Sequence, residues 1–346
     1  MLQADEAVIE IPPEVIRYCD RDDVRLFINE MVAQQKFNRA ELMRLFRDAV
    51  RVDSVLESIA KPAERKLTWE EYRAIFIDEK RVQAGADFWH AHAEMLQKVS
   101  QEYGVPPEII LAILAVETRY GNYTGRHRVL DSLITLAFDG KSRQSFFREE
   151  LKAFLLLARE EHLDPRLIKG SYAGAMGMPQ FISSSYRQYA VDYDGDGQRD
   201  LWNSDADILA SVANYFKKHG WAMNQPVVLQ ALSATDAAAE IAVGRGRVGL
   251  KPEKTLAELR ALGVEWDKKA QTASDKTLAT LMVLDKKDGT LEYWLGLQNF
   301  YVITRYNHSS MYAMAAYQLS QLIKARAEVS KDFNMRGNTS SSGNKR

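Results

Sequence analysis

The run from Ile109 to Val116 is apolar on every face that a helix could present. Pro106, Pro107 and Glu108 come just before it, and prolines are tolerated in the first turn of a helix, so the pattern predicts that a helix starts there. A helix without a polar face has to be buried on all sides. The run is much shorter than the roughly 20 residues that cross a bilayer. The chain must therefore build a protein core around this helix.

Composition sets few limits on the fold but narrows the class of partner. The chain has 346 residues, 46% hydrophobic and 27% charged, which is typical of a globular protein with two or three domains. Its formal net charge of −1 argues against nucleic acid, because duplex binders usually carry a basic surplus. An uncharged or zwitterionic polymer fits this charge better.

The single cysteine is compatible with the cytosol and with the bacterial periplasm alike. Cys19 is the only cysteine, so no intrachain disulfide can form, and we interpret it as a buried or half-buried thiol. Residues Met1 to Glu6 lack the basic start and the apolar stretch of a secretory signal. No apolar run is long enough to predict a transmembrane segment.

Helical patterns dominate the chain as far as about Trp221. Capping-box sequences begin at Asn38 and Thr68, where a side chain at each end of the first turn can satisfy the other's backbone donor. A longer helix is predicted over about Val82–Tyr103, ended by Gly104.

The pattern changes between about residues 224 and 300. Two strand-like runs, Leu278–Leu284 and Thr290–Leu295, are separated by the turn sequence Asp285–Gly289, which predicts a β-hairpin. Helical patterning returns at Ser309, and the polar end from about Lys331 predicts a disordered tail.

Glu117 follows the apolar run directly, and Gly121 ends the element soon afterwards. Apolar surroundings disfavour a charged carboxylate, and so does the negative end of the helix dipole. Both effects raise the pKa, which suits a general acid that works near neutral pH. The alternative is a buried ion pair with Arg119, Arg126 or another cation. This stretch by itself leaves both interpretations open.

Two further stretches carry polar and aromatic groups suited to a sugar. The glycine-rich stretch Gly170–Phe181 permits close backbone approach, as in a loop that lines a groove, and it contains Ser171, Tyr172 and Gln180 as hydrogen-bonding groups. Tight helix packing is the alternative. The stretch Asn299–Tyr312 is rich in tyrosines and amides, although aromatic residues before a helix are more often part of the core.

Together these segments closely resemble the lytic murein transglycosylase B family. The similarity covers about Arg25 to Leu322. The runs that carry it appear in the family's order and at near-family spacing: Tyr103–Ile110, Val116–Gly121, Gly170–Phe181, Ser211–Phe216 and Ile303–His308. Tyr120 departs slightly, since relatives can have tryptophan there, but the position stays aromatic.

The resemblance implies a mainly α protein, α+β overall, with a lysozyme-like helical core, an N-terminal helical domain and a small β-containing insertion. The division that we expect is 1–100 for the N-terminal helical domain, 101–223 for the catalytic core with an EF-hand-like loop, 224–298 for the small β-containing domain, 299–330 for a return to the core, and 331–346 for the disordered tail.

The resemblance also implies roles for individual residues. Glu117 is similar to the family's catalytic acid and base, and Ser171 and Gln180 are similar to groove residues near the scissile bond. The groove tyrosines of the family fall on Tyr72, Tyr215, Tyr306 and Tyr312.

A cation loop is predicted after the glycine-rich stretch. Gly197 provides the sharp turn at position 6 of the front half of an EF-hand, and acidic side chains occupy its ligand positions: Asp192, Asp194, Asp196 and Asp200. Hard carboxylate oxygens favour Ca²⁺, so we expect a structural calcium ion and no organic cofactor.

The back half of this loop departs from the EF-hand pattern. Asn203 stands where an EF-hand usually has a bidentate glutamate. The resemblance implies that Asp207 closes a longer loop, and Asp205 is the competing ligand. A solvated acidic turn without an ion is the alternative.

The expected function is a lytic transglycosylase that cleaves the β-1,4 bond between N-acetylmuramic acid and N-acetylglucosamine in peptidoglycan. Glu117 acts first as acid and then as base, without water, and leaves 1,6-anhydro-N-acetylmuramic acid ends. The expected partners are peptidoglycan glycan strands and other cell-wall enzymes, not nucleic acid. The expected location is the periplasm, with the protein soluble or associated with the outer membrane.

Two alternatives stay open. One is a hydrolytic muramidase that uses Glu117 with a second carboxylate from Asp131, Asp139 or Glu149. The other is a non-catalytic peptidoglycan-binding protein that keeps the groove. An intact Glu117 in apolar surroundings argues against the second, because a binding module gains nothing from an acid with a raised pKa.

Overall fold

The structure, a computed structural model, describes residues 17–60, 67–244, 250–267 and 273–341, with side chains described as far as residue 329. After a short 3-10 helix at Tyr18–Asp20, the helices are α1 Asp22–Gln35, α2 Arg39–Arg47, α3 Asp53–Ala60, α4 Trp69–Phe76, α5 Glu79–Ala91, α6 Ala93–Tyr103, α7 Pro107–Thr118, α8 Val129–Phe138, α9 Gln144–Glu160, α10 Ser183–Tyr189, α11 Asp205–Lys218, α12 Asp236–Glu240, α13 Leu256–Ala261, α14 Gln298–Tyr306 and α15 Ser310–Ser341. The strands are β1 His127–Arg128, β2 Lys169–Gly170, β3 Val228–Ser233, β4 Lys254–Thr255, β5 Glu265–Trp266, β6 Leu278–Asp285 and β7 Leu291–Gly296. The prediction of a mainly helical protein with a small β-sheet is confirmed.

Local sequence signals account for several helix starts. Thr68 forms the complete predicted capping box with Glu71 at the start of α4. Asn38 caps α2 by accepting hydrogen bonds from the backbone N–H groups of Ala40 and Glu41. The helix predicted over Val82–Tyr103 is instead two helices, α5 and α6, because the backbone leaves the helical region at His92 (φ −118°, ψ 24°). Helical periodicity continues on both sides of that residue and therefore hides the break.

The last helix is longer than expected. α15 continues to Ser341, whereas the sequence predicts a disordered tail from Lys331. This part of the prediction is corrected, because a nucleated helix gains one hydrogen bond for each added residue, even where the side chains are polar. Residues 342–346 of the predicted tail lie outside the described residues.

The first of two compact units consists of residues 17–60 and 126–174. Within it α8 packs against α9 and α3, and three phenylalanine rings, Phe27, Phe46 and Phe138, meet at centroid distances of 5.8 to 6.2 Å. β1 and β2 form an antiparallel pair. This grouping differs from the predicted five-part division, since residues 126–174 join the N-terminal helices. This grouping arises from contacts between segments that are far apart in sequence, and local sequence patterns cannot predict such contacts.

The second unit consists of residues 67–125 and 175–341. Its centre is α7, which contacts α5, α6, α11 and α15. Every residue from Glu108 to Ala115 is buried, as the apolar run predicts. Glu108, the charged residue of the first turn, has its carboxylate 3.2 Å from the Lys324 ammonium on α15.

The second unit also contains a five-stranded antiparallel sheet with the order β4-β6-β7-β3-β5. β6 and β7 form the predicted hairpin, with Leu281 opposite Leu295 and Leu284 opposite Glu292. One face of the sheet packs with α12 and α13 in a small separate core that includes Leu229, Leu259 and Leu295. Of the helices in the described ranges, none combines the length and apolarity required to cross a bilayer.

Candidate active site

Glu117 lies in the last turn of α7 and is half-buried. The hydroxyl of Tyr312, from α15, donates a hydrogen bond of 2.6 Å to its Oε1 atom. Within the described part of the chain, Glu117 forms no salt bridge with Arg119, Arg126 or any other cation. The ion-pair interpretation of this residue therefore finds no support.

The surroundings of Glu117 favour the protonated acid. Burial raises the pKa of its carboxyl, the hydrogen bond from Tyr312 lowers it by a smaller amount, and the net result is a rise from 4.5 to about 7. No carboxylate of the described residues contributes to this shift. A carboxyl with this pKa is divided between its acid and base forms near neutral pH, so it can serve in both roles.

Two tyrosines close to Glu117 carry strongly perturbed hydroxyls. Burial raises the pKa values of Tyr306 and Tyr312 well above the usual value, and the negative charge of Glu117 raises both further. Tyr306 donates a 2.6 Å hydrogen bond to the carbonyl of Pro179. Both phenols are therefore neutral hydrogen-bond donors at any physiological pH.

The glycine-rich stretch forms tight turns after residue 174. At Gly177 the backbone has a φ of +70°, and a Cβ atom would lie 2.6 Å from the carbonyl oxygen of Leu201, so only glycine fits. Gln180 also has a positive φ, 53°, and its amide nitrogen donates 3.0 Å hydrogen bonds to the carbonyls of Thr124 and Gly177. Its amide oxygen is the group that can accept from a sugar hydroxyl.

Of the residues predicted for the site, all except Ser171 belong to the second unit. The rings of Tyr215 and Tyr306 have centroids 4.8 Å apart, and Tyr215 donates to the carbonyl of Arg305 at 2.6 Å. Tyr72, on α4, is buried and close enough to Tyr312 for its charge to affect the pKa of that residue.

Ser171 lies in the first unit, directly after β2. It is half-buried, and its hydroxyl accepts a 3.3 Å hydrogen bond from the backbone N–H of Ala173. The acids named for the hydrolytic alternative lie in the same unit. Asp131 pairs with Arg128 and Asp139 pairs with Arg21, and Glu149 is exposed.

The sequence interpretation missed two residues that contact the site. Thr118 is buried beside Glu117, and a hydroxyl residue at the end of an apolar helix was the available signal. His219 lies one helical turn after Tyr215, directly after the end of α11, a spacing visible in the sequence, and the two stacked rings have centroids 4.1 Å apart. Burial lowers the pKa of His219, so its ring is neutral at pH 7.

The predicted cation loop brings three carboxylates together. Oxygen atoms of Asp192, Asp194 and Asp196 all lie within 4.8 Å of one another. These are hard oxygen donors on a loop turned by glycine at positive φ, here Gly195 and Gly197, a donor set that fits Ca²⁺.

The two remaining predicted ligands contact the loop backbone. Asp207 is fully buried and accepts hydrogen bonds from the N–H groups of Tyr193 at 2.7 Å and Asp200 at 2.8 Å. The carboxylate of Asp200 accepts from the backbone N–H groups of residues 202 and 203. Asp205, the competing ligand, lies 3.5 Å from the His92 ring nitrogen. Neither closing candidate joins the three-carboxylate group.

Known proteins are similar to this chain over most of its length. Residues 20–321 match the family model described as the transglycosylase SLT domain. The chain is 41% identical to membrane-bound lytic murein transglycosylase B of Escherichia coli K12, over 88% of this chain and 84% of that protein.

Solved structures of similar proteins share the fold. Soluble lytic transglycosylase SltB1 from Pseudomonas aeruginosa has 49% identity and a TM-score of 0.82, over 88% of this chain and 99% of that one. Escherichia coli Slt35 in complex with calcium has 42% identity and a TM-score of 0.79, over 88% and 93%. Pseudomonas aeruginosa SltB3 in complex with NAG-anhNAM-pentapeptide has 31% identity and a TM-score of 0.76, over 87% and 79%. The chain therefore belongs to the transglycosylase SLT family, among its lytic murein transglycosylases of the B type.

Proposed function

We propose that this lytic transglycosylase cleaves the β-1,4 bond between N-acetylmuramic acid and N-acetylglucosamine of peptidoglycan, with Glu117 as its only acid and base. The observation that carries the proposal is the carboxyl of Glu117, with a pKa of about 7, a tyrosine hydroxyl as its partner and no neighbouring carboxylate among the described residues. Such a group can give and take a proton in one catalytic cycle.

In the first step, protonated Glu117 donates its proton to the oxygen that leaves with N-acetylglucosamine, and the bond from that oxygen to muramyl C1 breaks. In the second, the Glu117 carboxylate accepts the proton of the muramyl C6 hydroxyl, whose oxygen bonds to C1. The product is a 1,6-anhydro ring, no water is consumed, and Glu117 ends protonated as it began.

An internal nucleophile explains how one carboxylate suffices. A well-oriented intramolecular group acts at an effective molarity of roughly 10⁵ M or more. Glycosidases that use water normally need two carboxyl groups, one as acid and one as base or nucleophile. Asp131 and Asp139 are engaged by arginines, which supports the lytic route over the hydrolytic one. The SltB3 structure with a NAG-anhNAM ligand also supports it, since that ligand has an anhydro sugar.

We assign the binding of the glycan to Gln180, Ser171 and the tyrosines Tyr72, Tyr215, Tyr306 and Tyr312. The closeness of Tyr306 and Tyr312 to Glu117 supports this assignment for these two residues. The assignment of Ser171 rests on the family resemblance. Neutral phenol and amide groups suit the hydroxyls and N-acetyl groups of a sugar.

We assign a structural Ca²⁺ to Asp192, Asp194 and Asp196, with the back of the loop held by Asp200 and Asp207. The cluster of three carboxylates and the calcium complex of Slt35 support a calcium ion. Bound there, the ion would neutralise the acidic loop before α11, the helix that carries Tyr215. It takes no part in the proton transfers.

We also propose a periplasmic location, because assembled peptidoglycan lies outside the cytoplasmic membrane. Other cell-wall enzymes are the partners that this location suggests. Fractionation of cells that express the full-length gene tests the location, and a purely cytosolic protein would contradict it.

Digestion of purified glycan strands tests the reaction. We expect anhydromuramyl ends as the dominant product by mass spectrometry, and no ¹⁸O at these ends when the reaction is run in labelled water. Label at most new ends would establish hydrolysis instead.

A matched pair of variants on α7 tests the role of Glu117. Glu117→Gln should reduce turnover at least about 10²-fold, the usual contribution of proton transfer. Glu108→Gln, on the same helix but paired with Lys324, should keep its activity. Turnover by Glu117→Gln near the wild-type level would overturn the assignment.

A further inference from the structure

Thr118 follows Glu117 in the chain and is only 1% exposed. Its hydroxyl has a single proton, which it donates to the carbonyl of Met178 at 2.8 Å. The same oxygen accepts a 3.0 Å hydrogen bond from the backbone N–H of Gly121. A second carbonyl, that of Leu114, is farther away at 3.4 Å. One buried hydroxyl therefore joins the end of α7 to the turn after it and to the glycine-rich stretch.

The turn after α7 has an uncommon backbone conformation. Arg119, Tyr120 and Gly121 have φ values of 50°, 57° and 85°, so three residues in succession adopt the left-handed region. Residues other than glycine rarely adopt it, and they persist there only where the surroundings fix them. Gly121, the last of the three, donates its N–H to the Thr118 hydroxyl, which is therefore one of the contacts that fix the turn.

The segment on the other side of Thr118 carries groups of the proposed site. The carbonyl of Pro179, next to Met178, accepts the hydrogen bond from Tyr306. Gln180 comes next, and its side-chain amide donates a hydrogen bond to the carbonyl of Thr124, at the far end of the turn after α7. A displacement of Met178 relative to Thr118 would therefore move Gln180 and Tyr306 relative to Glu117.

We propose that Thr118 is a positioning residue, whose buried hydroxyl sets the distance between the Glu117 carboxyl and the Gln180 and Tyr306 groups. The inference rests on the proposed role of Glu117 and extends it. Thr118 does not touch substrate in this proposal. It acts by holding the acid and the sugar-binding segment in one arrangement, and proton transfer is sensitive to such placement.

The test compares Thr118→Val, which keeps the shape and removes the hydroxyl, with Thr118→Ser, which keeps the hydroxyl. We expect kcat of Thr118→Val on glycan strands to fall roughly 10- to 100-fold, as for misplacements of about 1 Å, with KM changed less than about threefold. We expect Thr118→Ser to recover most of the lost kcat. The basic limb of the pH profile should also shift in Thr118→Val, because the surroundings of Glu117 change, and it should stay in place in Thr118→Ser.

A control variant separates positioning from loss of stability. Thr280, on β6, is also buried and donates its hydroxyl to a backbone carbonyl, that of Lys251 at 2.7 Å. Thr280→Val should lower Tm by about as much as Thr118→Val does, but it should leave kcat and the pH profile unchanged. A kcat for Thr118→Val no lower than that of Thr280→Val would overturn the proposal. So would a Thr118→Ser variant as impaired as Thr118→Val.

Two further outcomes are distinguished by the same assay. If Thr118→Val does not fold, Thr118→Cys takes its place, since a thiol is a weaker donor of similar size, and the same fall in kcat with unchanged KM is expected.

Glu117→Gln is assayed in parallel. If it is inactive while Thr118→Val is normal, only the role of Thr118 fails. If Glu117→Gln is active, both the proposed function and this inference fail.

Discussion

The hydroxyl of Tyr312 opposes the effect of burial on Glu117. Burial raises the pKa of the carboxyl, the 2.6 Å hydrogen bond from Tyr312 lowers it because a donor stabilises the charged form, and the net pKa is about 7. In Tyr312→Phe burial acts without this opposition, so the pKa of Glu117 should rise by about one unit. The basic limb of the profile of kcat/KM against pH should then move to higher pH.

The matched control for this shift is Tyr306→Phe. Tyr306 lies near Glu117, but its hydroxyl donates to Pro179 rather than to the carboxyl. Its removal should alter binding of the glycan without the same displacement of the basic limb. Equal displacements in the two variants would show that the hydrogen bond from Tyr312 does not set the pKa.

The raised pKa of Glu117 also affects stability. The pKa in the folded state, about 7, lies above the ordinary value of 4.5. The unfolded chain therefore releases this proton first, and the contribution of Glu117 to stability is lost as the pH rises between these two values. Glu117→Gln has no such loss. We compare the free energy of unfolding of Glu117→Gln with that of the wild type at two pH values by urea titration. The difference, variant minus wild type, should be roughly 2–3 kcal/mol larger at pH 8 than at pH 4.

The control on the same helix should show no such gain. Glu108→Gln removes the salt bridge to Lys324, so the variant should be no more stable than the wild type at pH 8. If the difference between Glu117→Gln and the wild type is the same at both pH values, the pKa of Glu117 is not raised in the folded protein.

At the scale of the elements, the predicted cation loop comes before α11 in the chain. If Asp192, Asp194 and Asp196 bind Ca²⁺, each tenfold increase of free calcium above the Kd adds about 1.4 kcal/mol of stability. Calcium should therefore raise Tm by a few degrees, about 2–4 °C per kcal/mol, and Asp196→Ala should remove this response. Asp236→Ala, an exposed acid in the first turn of α12, should keep the response. A wild-type Tm that is indifferent to both calcium and chelator would rule out the site.

Elements with a strong local pattern could be predicted from the sequence. The apolar run gives α7, and the turn at Asp285–Gly289 gives the hairpin of β6 and β7, because in both cases neighbouring residues determine the structure. The break at His92 and the extension of α15 past Lys331 could not be predicted, since helical periodicity reports neither. Boundaries depend on packing more than on periodicity.

For the candidate site too, features set by neighbouring residues could be predicted from the sequence, and contacts across the whole molecule could not. Glu117 could be named as an acid with a raised pKa, because the apolar residues before it are its neighbours in sequence. Its partner Tyr312 is 195 residues away, and the family resemblance rather than any local pattern pointed to it. The hydroxyl of Thr118 at the end of the apolar run was visible in the sequence, but its contact with the carbonyl of Met178, which is distant in sequence, was not. The grouping of residues 126–174 with the N-terminal helices is a long-range effect of the same kind.

The balance of charge over the whole chain leads to a prediction about substrate binding. The formal net charge is −1, so no general electrostatic attraction concentrates a polyanion on this protein. Binding of the glycan should depend on short-range contacts from neutral groups such as Tyr306 and Gln180. Salt screens interactions between charges and has little effect on such contacts. KM for glycan strands freed of stem peptides should therefore change less than about threefold between roughly 0.05 and 0.3 M salt, where a binder dependent on phosphate-like contacts loses orders of magnitude. The measurement is steady-state release of anhydromuramyl ends at several salt concentrations, with kcat recorded separately as the control for the chemical step. A steep rise of KM with salt would mean that a local cationic patch, rather than the neutral groove residues, holds the glycan.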